Sequence, residues 1–361
     1  MRVVIAAGGT GGHVYPAIAY AKEFQHHDPG GSIVFVGTGK SLEGEILGKE
    51  GFGFEPIKVE GFVGRGVFRM IRSFLLLLKS VWRAVQILRS RQTDLVIGTG
   101  GYFSPPVVFA AWLLNIPRVL LEPNAMPGLA NRVLGPLADR VFLAFDSAIP
   151  FFSSSKVKVI GTPIRKDFVL ESPPPPPQKV SHLLIFGGSQ GARAINSAML
   201  EAVESSARLR EQVTITHQTG ADDYERVKAG YEQLGVMVDV RPFLFDMPRE
   251  LAKADLIVCR AGASTLAELS AYGKVGILIP FPQATHNHQT MNARAMEAAG
   301  AARVLLQTDL NGPRLAKEIE QCMTDIHHVQ GMAGRSWALR KVHATEKMVQ
   351  ECLSLVGQNV P

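Results

Sequence analysis

Short apolar runs alternate with amphipathic runs along the whole chain, in a pattern that predicts a parallel β-sheet covered by helices. Strands are predicted at "RVVIAA", "SIVFVGT", "DLVIGTG", "PRVLLEPN", "DRVFLAF" and "VKVIGTP", then at "HLLIFGG", "VTITHQTG", "VDVRPF", "DLIVCRAG", "VGILIPFP" and "AARVLL". Helices are predicted between them at 16–27, 104–115, 127–137, 191–206, 264–272 and 287–299. Near-continuous apolar strands that alternate with helices are typical of the α/β class, in which both faces of the sheet are buried.

The pattern is interrupted once, at "ESPPPPPQ", residues 171–178. Consecutive prolines adopt an extended polyproline conformation and continue neither a helix nor a sheet. A ligand for a proline-recognising domain is one interpretation, and a spacer or exposed loop is the favoured one. Because 361 residues suggest two domains, we expect a domain boundary shortly before this segment.

The opening pattern of the chain returns after the prolines. "VVIAAGGTGGH" at 3–13 is echoed by "HLLIFGGSQGA" at 182–192 and, more weakly, by "DLIVCRAGASTLAEL" at 255–269. Glycine-rich turns from a strand into a helix allow backbone N–H groups to approach an anion, and ligands of open α/β sheets bind at the carboxyl ends of strands. Two such units facing each other would place these loops on opposite walls of a cleft. Tight turns chosen for backbone geometry alone are the alternative.

Two familiar nucleotide-binding motifs fail on inspection. The dinucleotide fingerprint G-x-G-x-x-G, started at Gly9, requires glycine or alanine where Val14 stands, which disfavours a dinucleotide oxidoreductase. A Walker A loop ending at "GKS", residues 39–41, requires a glycine where Val34 stands.

Composition narrows the class of protein further. The chain is 46% hydrophobic and 19% charged, with a formal charge of +6 that favours an anionic partner. Its three cysteines match neither a disulfide framework nor a zinc motif, and no apolar stretch approaches the ~18 residues that span a bilayer. The N-terminus shows no signal-peptide pattern, so we expect a cytosolic protein. The sequence also contains no H-E-x-x-H motif, so we expect no metal site.

Several polar residues beside the predicted strand ends are candidates for binding or catalysis. Glu268 could accept two hydroxyls of a ribose, Arg165 could face a diphosphate, and Asn124 follows a predicted strand end. His13 stands at the start of the first predicted helix, where the helix dipole favours a neutral imidazole that can accept a proton. For each, an ordinary surface or loop-bonded side chain is the alternative, as it is for Arg260 at another strand end.

The segment 62–92 contains seven Lys or Arg residues and no acid. Its apolar residues recur at helical spacing: Phe68, Ile71, Leu75, Leu78, Trp82 and Val85. Cations flanking aromatic and aliphatic residues are typical of a helix in a membrane interface, whereas a helix that covers a sheet also needs an apolar stripe. Both interpretations stay open, and they are compatible.

Seven motifs together resemble one family over nearly the whole chain. In order they are "GGTGGHVYPA", "GTGGYFSPP", "EPNAMPGLANR", "GTPIR", "GGSQGARAIN", "CRAGASTLAE" and "HNHQTMNA". The set is similar to glycosyltransferase family 28, and within it to the bacterial transferases that add N-acetylglucosamine to the lipid-linked muramyl-pentapeptide. The resemblance implies a GT-B fold, in which two Rossmann-like domains with parallel sheets face each other across a cleft. It places an N-terminal acceptor domain at 1–163 and a C-terminal donor domain at 164–339, with a helix at about 340–361 that packs back on the first.

The resemblance also implies the reaction. The C4 hydroxyl of the lipid-bound muramyl sugar would attack the anomeric carbon of UDP-N-acetylglucosamine with inversion, releasing UDP, without a metal or other cofactor. The implied partners are this donor, the lipid-linked acceptor and an anionic membrane surface, and no nucleic acid. The implied location is the cytoplasmic face of the membrane, as a peripheral protein.

Site residues are implied motif by motif. The donor positions are Thr10, Gly11 and Gly12 beside the sugar, Asn124 and Gln289 on the sugar, Arg165 and Ser189 at the diphosphate, Leu244 at the uracil through its backbone, and Ala263, Ser264, Thr265, Leu266, Ala267 and Glu268 around the uridine and ribose. The catalytic positions are His13, as the base or as a contact to the acceptor diphosphate, with Glu122 and Asn131. Functional positions without an assigned role are Tyr102, Asn196 and Arg260.

Two other functions remain as alternatives. A related transferase could use a different lipid acceptor, because a fold does not fix a substrate. A non-catalytic sensor of nucleotide sugars, or a membrane-recruitment module, would belong to a different class.

Overall fold

The structure, a computed structural model, describes residues 1–8, 11–37, 39, 47–57, 67–284 and 287–357, with side chains for all of these except 11–13 and 67–75. The chain divides into two compact units. Unit 1 comprises Met1–Arg165 and Lys341–Pro361, and unit 2 comprises Lys166–Arg340. The chain therefore passes from one unit to the other twice, and the first passage lies shortly before the proline run.

Unit 1 is built on a seven-stranded parallel sheet. Its strands are β1 Arg2–Ala6, β2 Ser32–Gly37, β3 Gly53–Pro56, β4 Leu95–Gly98, β5 Arg118–Glu122, β6 Arg140–Leu143 and β7 Val157–Val159, in the spatial order β3-β2-β1-β4-β5-β6-β7. Its described helices are α1 Gly11–His27, α2 Val67–Ser90, α3 Ser104–Leu113, α4 Leu129–Leu134 and, for the C-terminal segment, α13 Ala344–Gly357.

Unit 2 is built on a six-stranded parallel sheet. Its strands are β8 His182–Phe186, β9 Thr214–Gln218, β10 Asp239–Arg241, β11 Leu256–Cys259, β12 Gly276–Leu278 and β13 Ala302–Val304, in the order β10-β9-β8-β11-β12-β13. Its helices are α5 Arg193–Ser205, α6 Ala207–Gln212, α7 Tyr224–Gln233, α8 Met247–Lys253, α9 Ala263–Ala271, α10 His288–Ala298, α11 Gly312–Thr324 and α12 Ile326–Ala338.

Both sheets follow the same winding rule. In each, the chain moves outward from the first strand and then returns to its other side, so that β1 pairs with β4 in unit 1 and β8 pairs with β11 in unit 2. These pairs are the switch points at which successive loops leave the sheet in opposite directions and open a crevice. The sequence echoes fall at these points, since the two glycine-rich motifs follow β1 and β8 and the third follows β11.

Strand alternation distributes the core over both faces of the sheet. In β1, Val3 and Ile5 pack with α1 and α13, whereas Val4 and Ala6 belong to the cluster on the opposite face. The C-terminal helix contributes Met348 and Cys352 to the first cluster, and both side chains are fully buried. The helix at 344–357 is therefore an integral part of the core of unit 1.

The predicted strands are confirmed, and the differences have local causes. The pattern missed β3, a short edge strand of sequence "GFEP" that has no apolar run. The helix predicted at 127–137 is shorter, because α4 ends at Leu134 and a 3-10 turn containing Pro136 follows it. Residues 173–177 form neither helix nor strand, and the Pro177 carbonyl accepts a hydrogen bond from Gln330 Nε2 at 2.9 Å.

Residues 67–90 of the basic segment form α2, while residues 62–66 lie outside the described residues. The two sides of α2 have different environments. Ala84, Ile87 and Leu88 are buried in the core of unit 1, while Trp82 and Leu78 are 62% and 51% exposed. Among the described residues, no helix has the length and apolar character needed to cross a bilayer.

A buried polar chain closes the carboxyl end of β9. Asn196 Nδ2 donates to the Thr219 carbonyl at 3.0 Å and to Asp223 Oδ2 at 2.7 Å, which leaves Asn196 Oδ1 to accept from His217 Nε2 at 3.1 Å. His217 Nδ1 then accepts from the Tyr231 hydroxyl at 2.9 Å. His217 is therefore the neutral Nε2–H tautomer, and burial lowers its pKa to about 3.

This histidine is expected to make unit 2 sensitive to acid. The unfolded chain binds a proton at His217 below about pH 6.5 while the folded chain stays neutral to about pH 3, so its contribution to stability is complete above pH 6.5 and is lost as the pH falls. The predicted slope is at most about 1.4 kcal/mol per pH unit. The opposing charges of Asp223 and Arg226 lie next to this chain and modulate the slope.

The measurement is urea unfolding of wild type and H217Q from pH 7.5 to pH 4. We expect the free energy of unfolding to fall more steeply for the wild type, because glutamine does not titrate. H327Q, at an exposed histidine of α12, is the matched control and is expected to follow the wild type. Equal slopes for wild type and H217Q would contradict the prediction.

Candidate functional site

In unit 1, the loop after β4 is tied directly to β1 at the switch point. Thr99 Oγ1 and Ser104 Oγ both donate to the Ala6 carbonyl, at 3.1 and 3.2 Å. Tyr102 lies in this loop, 38% exposed, with its ring edge against Phe103. The loop therefore exposes an aromatic side chain at the carboxyl edge of the sheet, while its two ends are hydrogen-bonded to β1.

The next loop, after β5, is folded around the Glu122 carboxylate. Oε1 accepts from the backbone N–H and the side-chain amide of Asn124 at 3.0 and 3.1 Å, and Oε2 accepts from Gly128 N and Asn131 Nδ2 at 2.9 and 3.0 Å. Asn131 Nδ2 also donates to the Leu121 carbonyl. One carboxylate thus holds both ends of the loop and orients the Asn124 side chain.

This arrangement changes the interpretation of two predicted catalytic residues. Glu122 and Asn131 are each 1% exposed, and the donors that hold the Glu122 oxygens all belong to the chain itself. Burial raises the pKa of Glu122, while its four hydrogen bonds oppose that rise. The geometry favours a positioning role for both residues, because neither carboxylate oxygen of Glu122 is directed to solvent.

In unit 2, the loop Gly187–Ala192 after β8 lies directly against the end of β9. A Cβ atom on Gly191 would lie 1.8 Å from the Thr219 carbonyl oxygen, and one on Gly220 would lie 2.0 Å from the Gln190 oxygen. Only glycine permits this approach at either position, and Gly191 also has a φ of +73°. Ser189 is exposed on the outer side of this tightly supported turn.

Asn196 lies beneath that turn and is not exposed. Its side chain is fully buried in α5 and links the Thr219 carbonyl to His217. The predicted functional position is therefore a support for the loop that carries Ser189.

Arg260, at the end of β11, is not the exposed strand-end charge that the sequence allowed. It is 9% exposed, and its guanidinium donates to the carbonyls of Ile279 and Pro280 and to Gln307 Oε1. Burial lowers its pKa to about 10. Arg260 thus holds the loop after β12, and the ring of Phe281 lies 5.3 Å from its guanidinium carbon.

The first two turns of α9 carry the predicted uridine segment Ala263–Glu268. Gly262 precedes the helix, and because glycine has no side chain it does not cap the backbone N–H groups of the first turn. Ser264 Oγ is buried without a hydrogen-bond partner among the described residues, and Glu268 is half-buried. Ala263 and Leu266 are buried, and Thr265 and Ala267 are half-buried on the same helix.

The remaining predicted residues are distributed over both units. Leu244 is buried in the loop after β10, and Gln289 Oε1 accepts from the Phe281 N–H at 3.0 Å. Arg165 is half-buried at the end of the first segment of unit 1. Gly11, Gly12 and His13 begin α1, where only their backbone is described, and Thr10 lies outside the described residues.

Sequence reasoning missed two residues of the unit 2 site, His217 and Gln218. Gln218 Nε2 donates to the Gly188 carbonyl at 2.7 Å, and both side chains are buried. The signal was present in "VTITHQTG", a strand that ends in the polar side chains Thr216, His217 and Gln218 although the adjacent strand β8 ends in "LLIF". Within the described part of the chain, no group of three or more His, Cys, Asp or Glu side chains could hold a metal ion.

Comparison with known proteins matches both units to one family. The glycosyltransferase family 28 N-terminal domain matches residues 3–143, and the glycosyltransferase family 28 C-terminal domain matches residues 182–350. A curated UDP-N-acetylglucosamine–N-acetylmuramyl-(pentapeptide) pyrophosphoryl-undecaprenol N-acetylglucosamine transferase of Anaeromyxobacter sp. is 44% identical over 99% of this chain and 94% of its own length. The transferase of that name from Syntrophotalea carbinolica is 42% identical over 99% of this chain and all of its own length.

Solved structures agree with these matches. The crystal structure of Acinetobacter baumannii MurG superimposes with a TM-score of 0.79 at 29% identity, covering 98% of this chain and 99% of that one. A calicheamicin glycosyltransferase superimposes with a TM-score of 0.70 at 16% identity, over 100% of this chain and 99% of its own, which is a likeness of fold alone. The GT-B fold implied by the motifs is confirmed, and the chain belongs to glycosyltransferase family 28.

Proposed function

We propose that this enzyme transfers N-acetylglucosamine from UDP-N-acetylglucosamine to the C4 hydroxyl of undecaprenyl-diphospho-N-acetylmuramoyl-pentapeptide, with inversion and without a metal ion. The observation that carries the proposal is the pair of loops at the β8/β11 switch point of unit 2, in a chain 44% identical to a transferase of that name. In this reaction the C4 oxygen forms a bond to the anomeric carbon as the bond from that carbon to the UDP oxygen breaks. The proton leaves the hydroxyl and UDP departs as the anion.

On the donor side, unit 2 supplies most of the groups that such a nucleotide sugar requires, and unit 1 contributes Arg165. The first two turns of α9 offer backbone N–H groups, Ser264 Oγ and the Glu268 carboxylate to the ribose and uracil, with the Leu244 backbone beside the base. Ser189 and Arg165 would contact the diphosphate, and a guanidinium matches phosphate oxygens in a bidentate geometry. Gln289 would bind the sugar hydroxyls.

The remaining groups of the proposal lie in the loops of unit 1. Asn124, oriented by Glu122, would contact the donor sugar, and Gly11 and Gly12 would line the same region with Thr10. His13 stands in the first turn of α1, where the helix dipole disfavours an imidazolium and so favours an imidazole that accepts the C4 proton.

The proposal is tested by incubating the protein with UDP-N-acetylglucosamine and a lipid-linked muramyl-pentapeptide. Stoichiometric UDP release with formation of a β-linked disaccharide lipid is expected, and activity in the presence of a chelator is expected to persist. UDP release with a diacylglycerol acceptor instead would indicate the related transferase class. Donor binding without any release would indicate a sensor of nucleotide sugars.

His13→Ala is expected to lower kcat about 10²–10⁴-fold, because a positioned base contributes that much to a rate. The donor KM should change little, since the imidazole is not proposed to bind the nucleotide. Steady-state kinetics in both substrates measures this split. An unchanged kcat would remove His13 as the base.

Glu122→Gln tests whether Glu122 positions the loop or takes part in the chemistry. The Glu122 carboxylate accepts hydrogen bonds from four N–H groups. In the variant, the glutamine NH₂ group would face two of these donors and could not accept from them. We therefore expect a loss of about 2 kcal/mol in the free energy of unfolding. A higher donor KM should accompany it through Asn124. Denaturant unfolding and donor kinetics measure the two effects, with E211Q at an exposed site of α6 as the control. A fall in kcat with unchanged stability would instead assign Glu122 a catalytic role.

A membrane-facing surface is the remaining part of the proposal. Trp82 and Leu78 are exposed on α2 beside the cations Lys79 and Arg83. The adjacent helix α3, which packs against α2, exposes Trp112 and Phe109 with their rings stacked at 5.4 Å. Exposed aromatic side chains with cations nearby suit the headgroup region of an anionic bilayer, where each basic residue adds about 1 kcal/mol of attraction. An acceptor with a polyprenyl tail requires an enzyme that reaches this surface, as a peripheral protein of the cytoplasmic face.

Simultaneous charge reversal to Glu of Arg69, Arg72, Lys79 and Arg83 is expected to release the folded protein from vesicles that contain phosphatidylglycerol. Cosedimentation measures binding, and circular dichroism confirms folding. The control reverses four exposed cations elsewhere, with the same change in net charge: Arg208, Lys228, Lys317 and Lys347. Equal loss in both variants would show an effect of net charge alone, and unchanged binding of the first variant would refute the membrane role of α2.

A further inference from the structure

The turn after β8 is held by a side chain from the neighbouring strand. Gly188 has a φ of +97°, and its carbonyl accepts from the Gly191 N–H at 2.8 Å, which closes a four-residue turn around Ser189 and Gln190. The same carbonyl accepts from Gln218 Nε2 at 2.7 Å. Gln218 is 2% exposed, so its amide acts within the protein and not on solvent.

The residue that donates this bond is itself fixed. Gln218 is the last residue of β9, and the adjacent Thr219 carbonyl is held by Asn196 Nδ2. Asn196 is held in turn by neutral His217, whose other nitrogen accepts from Tyr231. The turn therefore rests on a buried chain of hydrogen bonds from Gln218 through Asn196 and His217 to Tyr231.

Holding the Gly188 carbonyl has a consequence on the opposite side of the peptide. The Gly188–Ser189 peptide is trans and planar, so its N–H points opposite to its C=O. Because the carbonyl is directed at Gln218, the Ser189 N–H is directed away from β9. Without Gln218, the Gly191 N–H would be the remaining donor to this carbonyl among the described residues, and Gly188 has no Cβ to restrict rotation of the peptide.

We propose that Gln218 is a positioning residue for the donor diphosphate, which it serves by fixing the orientation of the Gly188–Ser189 peptide and thereby the Ser189 N–H. The inference rests on the proposed function, because it takes the nucleoside diphosphate as the ligand of this turn. The uridine portion is assigned to other segments, α9 and Leu244. The Gln218 contact therefore bears on the phosphates and not on the nucleoside.

The test compares UDP with uridine, which lacks the phosphates, by calorimetry and by competition on the wild type and Q218M. Methionine keeps the length and approximate volume of the side chain and removes the donor. Loss of one oriented hydrogen bond should raise the Kd of UDP about five- to tenfold, with uridine binding unchanged within about twofold. The donor KM should rise in parallel while kcat falls less.

Two further variants make the result decisive. Q218N keeps an amide but shortens the side chain by one methylene, so it should reproduce the selective loss of UDP binding even where methionine is poorly accommodated. Q233M makes the same Gln-to-Met change at an exposed position of α7 and should bind both ligands as the wild type does.

Each outcome bears on the inference. Equal weakening of UDP and uridine would indicate a general loss of site shape and overturn it, as would unchanged UDP binding in both Gln218 variants. A wild-type protein that binds no UDP would remove the proposed function together with the inference. If the wild type binds UDP and both Gln218 variants bind it equally well, the inference fails while the proposed function stands.

Discussion

A parallel sheet directs the carboxyl ends of all its strands to one edge, and in this chain the functional architecture depends on that constraint. Both sheets start in the middle, wind outward and return, so the loops after β1 and β4 diverge, as do those after β8 and β11. Each divergence leaves backbone N–H groups and loop side chains around a crevice. The resemblance between residues 3–13 and 182–192 is thus the mark of a repeated structural position.

Loops at such an edge are exposed, and here buried polar groups hold them in place. Glu122 gathers four N–H donors in unit 1, Arg260 gathers three acceptors in unit 2, and Asn196 joins three elements around the end of β9. Each group is costly to bury alone and stable when all its partners are present. Hydrogen bonds thus hold these loops on their buried side, while Tyr102 and Ser189 are exposed.

The fold was largely accessible from the sequence because it follows from local periodicity. The apolar strands of the two sheets were predicted to within a few residues, and only the half-polar edge strand β3 escaped. The site was accessible only in outline. Motif position marked Glu122, Asn196 and Arg260 as functional, but not that each is buried and acts through its neighbours. Burial and hydrogen-bond direction depend on residues distant in sequence, such as Gln307 for Arg260, and no local pattern contains them.

The placement of α13 has a consequence for how the chain acquires its structure during synthesis. Unit 1 is built from segments on both sides of unit 2, and its core includes Met348, Val349 and Cys352. The ribosome delivers these side chains only after all of unit 2, which is a single uninterrupted segment, has been made. The nascent first half must therefore wait with an uncovered apolar face against β1 and α1, and chaperone dependence is expected to concentrate there. Removal of the last turns of α13 would leave the core of unit 1 permanently incomplete, although most of unit 1 is made first.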